Sequence, residues 1–156
     1  DIRRRFGAEV FAEGGNVTVA NAPLKACEID VSNTPDLFPV LAVLGAQAEG
    51  KTVLYNASSL RLKESDRIKA SYEMIKSLGG TANEYPDRLE ITGTKLKGGT
   101  VNSYGDHRIV MSAAIAAAFC DEETDVIGVE AAGKSYPGFF EHYSALGGKV
   151  TLEEMR

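Results

Sequence analysis

The chain has 156 residues, 44% of them hydrophobic and 25% charged, with a formal net charge of -5. That length holds one domain with a core, or part of a larger one. The acidic balance excludes a generally basic surface for nucleic acid or an anionic membrane, so an anionic ligand must be met by local clusters of cations.

The N-terminal residues Asp1-Ile2-Arg3-Arg4-Arg5-Phe6-Gly7 read as the tail of a helix already under way, ending on a glycine. The chain also lacks an initiator Met, and we expect a piece of a longer protein. A strand follows over residues 17–19. Cys27 and Cys120 are far apart with no metal-type spacing, and read as reduced structural thiols of a cytosolic protein. Thr34-Pro35-Asp36 opens an apolar helix over residues 36–47. Thr34 suits the N-cap, Pro35 the first helical position, and Asp36 the positive end of the dipole. A strand at residues 52–55 leads to a basic loop and an amphipathic helix over residues 63–78, in which Ile68, Tyr72, Ile75 and Leu78 recur at helical spacing. Gly79 ends that helix, and residues 89–92 form a strand. A second apolar helix spans residues 106–119, with Asp106 at its N-cap. A strand at 125–129, the loop around Lys134 and a helix over 137–146 complete the order. The longest apolar run, residues 109–120, is broken by Ser112 and too short to span a bilayer, and no signal peptide is visible.

These elements repeat. Gly79 and Gly147 lie 68 positions apart, Asp36 and Asp106 lie 70 apart, and Lys63 and Lys134 lie 71 apart. A period near seventy that carries helices and strands marks a repeated supersecondary unit. The fold class is α/β (α+β), read as a single partial domain. It holds the end of one unit at about 1–29, a second at about 30–98 and a third at about 99–156. The helices around Val40 and Ile115 are apolar nearly all round, which places helices inside and sheets outside.

Four cations, Arg61, Lys63, Arg67 and Lys69, crowd the entrance of one helix, where the macrodipole disfavours them. Such a local conflict marks a functional site. If the helix begins at Lys63, Lys63 and Arg67 share a face and can hold a phosphate or carboxylate. The alternative is a solvated charged face in which Glu64 and Asp66 pair with neighbouring bases. His107 and Arg108 stand at the positive end of the second apolar helix, Arg108 offering a planar fork for an oxyanion, or else both simply face solvent. Lys134 reads as an exposed loop lysine, except that it holds the place of Lys63 one unit later. His142, beside Tyr143, reads as structural or exposed. No nucleophilic triad, P-loop or dinucleotide fingerprint is present.

Leu60-Arg61-Leu62-Lys63-Glu64-Ser65-Asp66-Arg67 resembles the LR-x-KESDR signature of 5-enolpyruvylshikimate-3-phosphate synthases. Asp106-His107-Arg108-Ile109-Val110-Met111 resembles the DHR-x-x-M segment of that family, and Gly133-Lys134-Ser135-Tyr136-Pro137-Gly138-Phe139-Phe140 its KS-[FY]-P-x-F-F segment. Pro35-Asp36 matches the P-D at the head of an earlier helix. The four occur in family order, and the similarity covers essentially the whole chain. The resemblance implies two hemispheres, each of three βαβαββ units arranged as an inverse α/β barrel, with helices buried and strands outside. It implies transfer of the enolpyruvyl group of phosphoenolpyruvate to the 5-hydroxyl of shikimate 3-phosphate, with no metal or organic cofactor. By position it makes Asp36 the contact to the shikimate hydroxyls and a candidate general base. Lys63 reaches the same hydroxyls, and Glu64 moves a proton at the methylene carbon. Arg67, Arg108 and Lys134 form the cationic cluster on phosphoenolpyruvate, with His107 lining the same place. Ser59 stands where some members place an asparagine near shikimate 3-phosphate. The expected partners are these two substrates and the N-terminal remainder of a cytoplasmic, monomeric enzyme. The chain alone is expected to be inactive. The related UDP-N-acetylglucosamine enolpyruvyl transferase, and a noncatalytic anion-binding repeat module, are the alternatives.

Overall fold

The computed structural model describes residues 2–153. The first helix, α1 (Ile2–Arg5), leads into an antiparallel hairpin of β1 (Glu9–Glu13) and β2 (Asn16–Ala20). Its two-residue turn is Gly14-Gly15, with φ of 57° and 83°. Two successive left-handed residues match the twist of a tight hairpin, which is why glycine stands at both.

The next stretch runs β3 (Glu28–Asp30), α2 (Phe38–Gln47), β4 (Lys51–Tyr55), α3 (Arg67–Ser77), β5 (Thr81–Tyr85) and β6 (Arg88–Thr92). This is one complete βαβαββ unit. Its strands form a single sheet in the order β3-β4-β6-β5, parallel between β3 and β4 and antiparallel elsewhere. The unit then starts again with β7 (Gly99–Asn102), α4 (His107–Ala117), β8 (Thr124–Ile127) and α5 (Phe139–Ala145), β7 pairing parallel with β8. Each parallel pair needs a helical crossover, supplied by α2 and α4. The sheets are separate, and no closed barrel forms among the described residues.

The repeat is visible at the level of single hydrogen bonds. Three helices end in the same Schellman cap. Gly7 N–H donates to Arg4 and Ala8 N–H to Arg3; Gly79 donates to Lys76 and Gly80 to Ile75; Gly147 donates to Ser144 and Gly148 to Tyr143. The capping glycines have φ of 81°, 80° and 98°, a conformation that costs a side-chain-bearing residue about 1 kcal/mol or more.

One hydrophobic core binds α2, α3 and α4 to the strands, through Phe38, Leu41, Leu54, Ile68, Met74, Leu89, Ile91 and Ile109. Burying each such side chain stabilises the fold by about 1.5–3 kcal/mol. Helix α2 meets the expectation of an enclosed helix. Helix α4 does so except along one stripe. Ile115 is exposed and, with Leu37, Val40 and Met111, lines an open groove of about 150 Å³ that reaches Asp36 and Arg108.

Several boundaries differ from the sequence reading. Residues 35–37 form a 3-10 turn, and Thr34 does not cap it with its side chain. The turn is closed instead by Leu37 N–H donating to the Thr34 carbonyl at 3.0 Å. The amphipathic helix begins at Arg67 rather than Lys63. Asp66 is its N-cap, accepting from Lys69 N–H at 3.1 Å. Residues before it finish a 3-10 turn over Ser58–Leu62 that ends in extended backbone at Lys63. Lys63 and Arg67 therefore share no helix face. Strand β8 stops at Ile127, because Gly128 turns the chain at φ 79° into a 3-10 turn over Val129–Lys134.

Candidate active site

Of the four cations near α3, two are drawn in opposite directions. Arg61 turns back to the β5–β6 hairpin, donating to the carbonyls of Tyr85 at 2.7 Å and Pro86 at 2.9 Å and to the carboxylates of Asp66 and Glu84. It fastens the 3-10 turn to the hairpin, and the solvated-pair reading fits Arg61 and Asp66. Arg67 is 1% exposed, the largest fully buried side chain among the described residues. An arginine is buried so completely only when its charge is met. Here three carboxylates meet it: Nε donates to Asp106 at 2.8 Å, Nη1 to Asp36 at 2.8 Å, and Nη2 to Glu64 at 2.7 Å.

These three acids differ in exposure. Asp106 is fully buried, whereas the side chains of Asp36 and Glu64 are 53% and 47% exposed. Asp36 spans two guanidiniums, taking its second bond from Arg108 Nη2 at 3.0 Å. The Arg67 hydrogen bond, helped by the charges of Arg108 and Lys63, holds the Asp36 carboxyl below the usual carboxylate range against the opposing effect of partial burial. Burial pushes the Asp106 carboxyl up, but Arg67, the Arg108 N–H and Ser65 outweigh it and hold the group ionised below its ordinary value. Burial alone would lower the Arg67 pKa, and Asp106 and Asp36 raise it instead.

Helix α4 carries the other side of the site. Asp106 caps it, accepting from Arg108 N–H at 2.9 Å. His107 is buried at 8% exposure, its Nδ1 4.0 Å from Asp106 and without a hydrogen-bond partner among the described residues. The Nε of Arg108 is likewise buried and unpartnered, a donor still open to an acceptor. Lys134 Nζ donates to the Gly105 carbonyl at 2.9 Å. Asp36, Glu64, Arg67, His107, Arg108 and Lys134 are thus joined in one cluster. Lys63 is exposed beside it, near enough to act on the Asp36 charge, and Ser59 lies exposed on the 3-10 turn before it, with no hydrogen bond to the cluster.

Two participants escape the sequence reading. Ser65 Oγ donates to Asp106 at 3.0 Å, and the Gly105 carbonyl holds Lys134. The available signal was Tyr104-Gly105, just before the helix, where both residues have left-handed φ of 53° and 68° and fold the loop back on itself.

Fold and site together define an α/β repeat protein that gathers guanidiniums, an ammonium and the carboxylates paired with the guanidiniums at the openings of its helices. The model of the family EPSP synthase (3-phosphoshikimate 1-carboxyvinyltransferase) matches residues 1–143, and the chain belongs to that family. It is 43% identical over 153 residues to the 3-phosphoshikimate 1-carboxyvinyltransferase of Methanocorpusculum labreanum, and 48% identical over 152 residues to that of Methanothrix thermoacetophila. These alignments cover 97% and 96% of this chain but 36% of each relative, so the chain spans about a third of their length. The solved EPSP synthase of Acinetobacter baumannii superposes with a TM-score of 0.87 at 29% identity, over 98% of this chain and 39% of that one. The enolpyruvyl transferase NikO of Streptomyces tendae shares the fold at a TM-score of 0.80 and 21% identity, over 96% of this chain and 35% of that one.

Proposed function

We propose that the complete protein transfers the enolpyruvyl group of phosphoenolpyruvate to the 5-hydroxyl of shikimate 3-phosphate and releases inorganic phosphate. The observation that carries this reading is the Asp36 carboxylate suspended between Arg67 at 2.8 Å and Arg108 at 3.0 Å. Two guanidiniums placed to share one carboxylate are placed to share another, that of phosphoenolpyruvate. Lys134 adds the third positive charge, for the phosphate that leaves, and His107 lines the same wall. Cations fixed in advance stabilise the charge that grows there far better than mobile water does.

The reaction proceeds by addition and elimination. The 5-oxygen bonds to C2 of phosphoenolpyruvate as its methylene carbon gains a proton. The methyl group then loses a proton as the bond from C2 to the phosphate oxygen breaks. No metal or organic cofactor takes part. Asp36 is the base for the hydroxyl. Held by two arginines it is a weak one, because both bonds favour its ionised form. When the substrate carboxylate takes those guanidiniums, Asp36 turns to the shikimate hydroxyls and its basicity rises. Lys63, exposed nearby, relays that proton, Glu64 serves the methylene carbon, and Ser59 contacts shikimate 3-phosphate.

The chain is read as one partial domain, with units at about 1–29, 30–98 and 99–156, of a cytoplasmic monomer that engages neither nucleic acid nor membrane. No helix among the described residues is long and apolar enough to cross a membrane. The test is phosphate release by the complete protein. Release that requires both substrates is expected, and no release with both present would sink the reading.

A further inference from the structure

We propose that Asp106 is a positioning residue that sets the spacing of the cation cluster, acting on all of it through one short loop and touching no substrate itself. The inference rests on the transferase reading above. Asp106 divides its two oxygens between two jobs. Oδ2 accepts from Arg67 Nε at 2.8 Å and from Ser65 Oγ at 3.0 Å. Oδ1 accepts from the backbone N–H of Arg108 at 2.9 Å, at the first turn of α4. One buried carboxylate therefore fixes where the guanidinium of Arg67 lies and where the residue that carries the second guanidinium begins.

The third cation is tied to the same loop. Gly105, next in chain to Asp106, accepts from Lys134 Nζ at 2.9 Å. The loop has little freedom to drift. Ser103 Oγ donates to the Gly128 carbonyl at 3.1 Å and accepts from Gly105 N–H at 3.2 Å, while Asp106 N–H donates to the Ser103 carbonyl at 3.0 Å. A Cβ at Gly128 would come within 2.6 Å of Ser103 Oγ, so the Ser103 side chain lies against the Gly128 backbone as closely as glycine allows. Tyr104 and Gly105 both take left-handed φ, and the Tyr104 hydroxyl bonds to Glu73 on α3. The loop is thus pinned to β8, to α3 and to α4, and from it hang Arg67, Arg108 and Lys134. With both partners at 0% and 1% exposure, the Asp106–Arg67 pair has no water to replace a lost bond.

Substrate contact and substrate placement leave different kinetic traces. Asp106→Asn keeps an oxygen able to cap α4 but turns an amide NH2 toward Arg67 Nε and Ser65 Oγ, and the guanidinium cannot accept from it. In the complete protein, this variant is expected to raise KM for phosphoenolpyruvate about tenfold or more while KM for shikimate 3-phosphate stays within about twofold. Asp106→Glu, which restores the charge, is expected to recover part of that loss. Ser65→Ala, at a half-buried position outside the core, is expected to raise KM for phosphoenolpyruvate by about two- to fivefold while lowering the thermal midpoint by no more than a few degrees, and reports even if the Asp106 variants fail to fold. KM for phosphoenolpyruvate unchanged in both Asp106→Asn and Ser65→Ala would overturn the proposal, as would an equal rise for both substrates. Wild-type turnover in the same assay separates this outcome from failure of the functional reading itself.

Discussion

Asp36 and Asp106 occupy the same place in successive units, 70 residues apart, each just before a long apolar helix and each bonded to Arg67. One is half exposed and bridges two arginines; the other is fully buried and caps its helix. The local backbone makes the difference. Asp106 has extended φ and ψ and is followed directly by α4, so its side chain folds back onto the Arg108 N–H. Asp36 lies inside a 3-10 turn started by Pro35, past the capping position, and its side chain points away from the helix start toward the guanidiniums. A repeat can therefore leave one copy of a residue half exposed between guanidiniums and bury the other as a helix cap.

The largest expected effect on this contrast comes from Asp36→Asn in the complete protein. Turnover falls by about 10²–10⁴-fold, the range for a lost general base, while thermal stability barely moves because the group is half exposed. Asp106→Ala reverses the balance. It leaves Arg67 buried without its main partner, and urea unfolding is expected to show a loss of about 3–5 kcal/mol. Lys134→Ala comes next, reducing kcat/KM for phosphoenolpyruvate by about 10²-fold with little change in unfolding. Acid follows. Both aspartates have folded pKa values below the unfolded one, so their stabilisation is complete above about pH 4 and is lost as pH falls below that through the folded values. An acid unfolding curve of Asp106→Asn, whose side chain does not titrate, should be flatter in that window. The smallest effect is at Arg61. Glu84→Ala cuts one of its partly exposed ion pairs and should cost about 0.2–1 kcal/mol, with both KM values unchanged.

Much of the fold was legible because its signals are local. Gly7, Gly79 and Gly147 each close a helix with the same pair of backbone bonds, and glycine is the residue that accepts that φ. The start of α3 was not legible at four-residue resolution. Glu64 and Asp66 both suit a helix start, and only the bond from Lys69 N–H to Asp66 decides between them. Arg67, His107 and Arg108 were visible as charge in the wrong place at helix openings, whereas Asp36, Glu64 and Lys134 obeyed local rules and stood out only by the repeat or the family resemblance. That Arg67 is buried was hidden, because Asp36 and Asp106 lie 31 and 39 residues from it in sequence and no local rule reports on them. Arg61 looked equivalent to Arg67 for the same reason, since all its partners but Asp66 come from a hairpin more than twenty residues away.

The division of labour between the two aspartates is tested most directly by measuring kcat of Asp36→Asn and Asp106→Asn side by side, in the complete protein with both substrates saturating. The account predicts that kcat collapses in Asp36→Asn by about 10²-fold or more and stays within about tenfold of wild type in Asp106→Asn. A kcat that falls further in Asp106→Asn than in Asp36→Asn would contradict it.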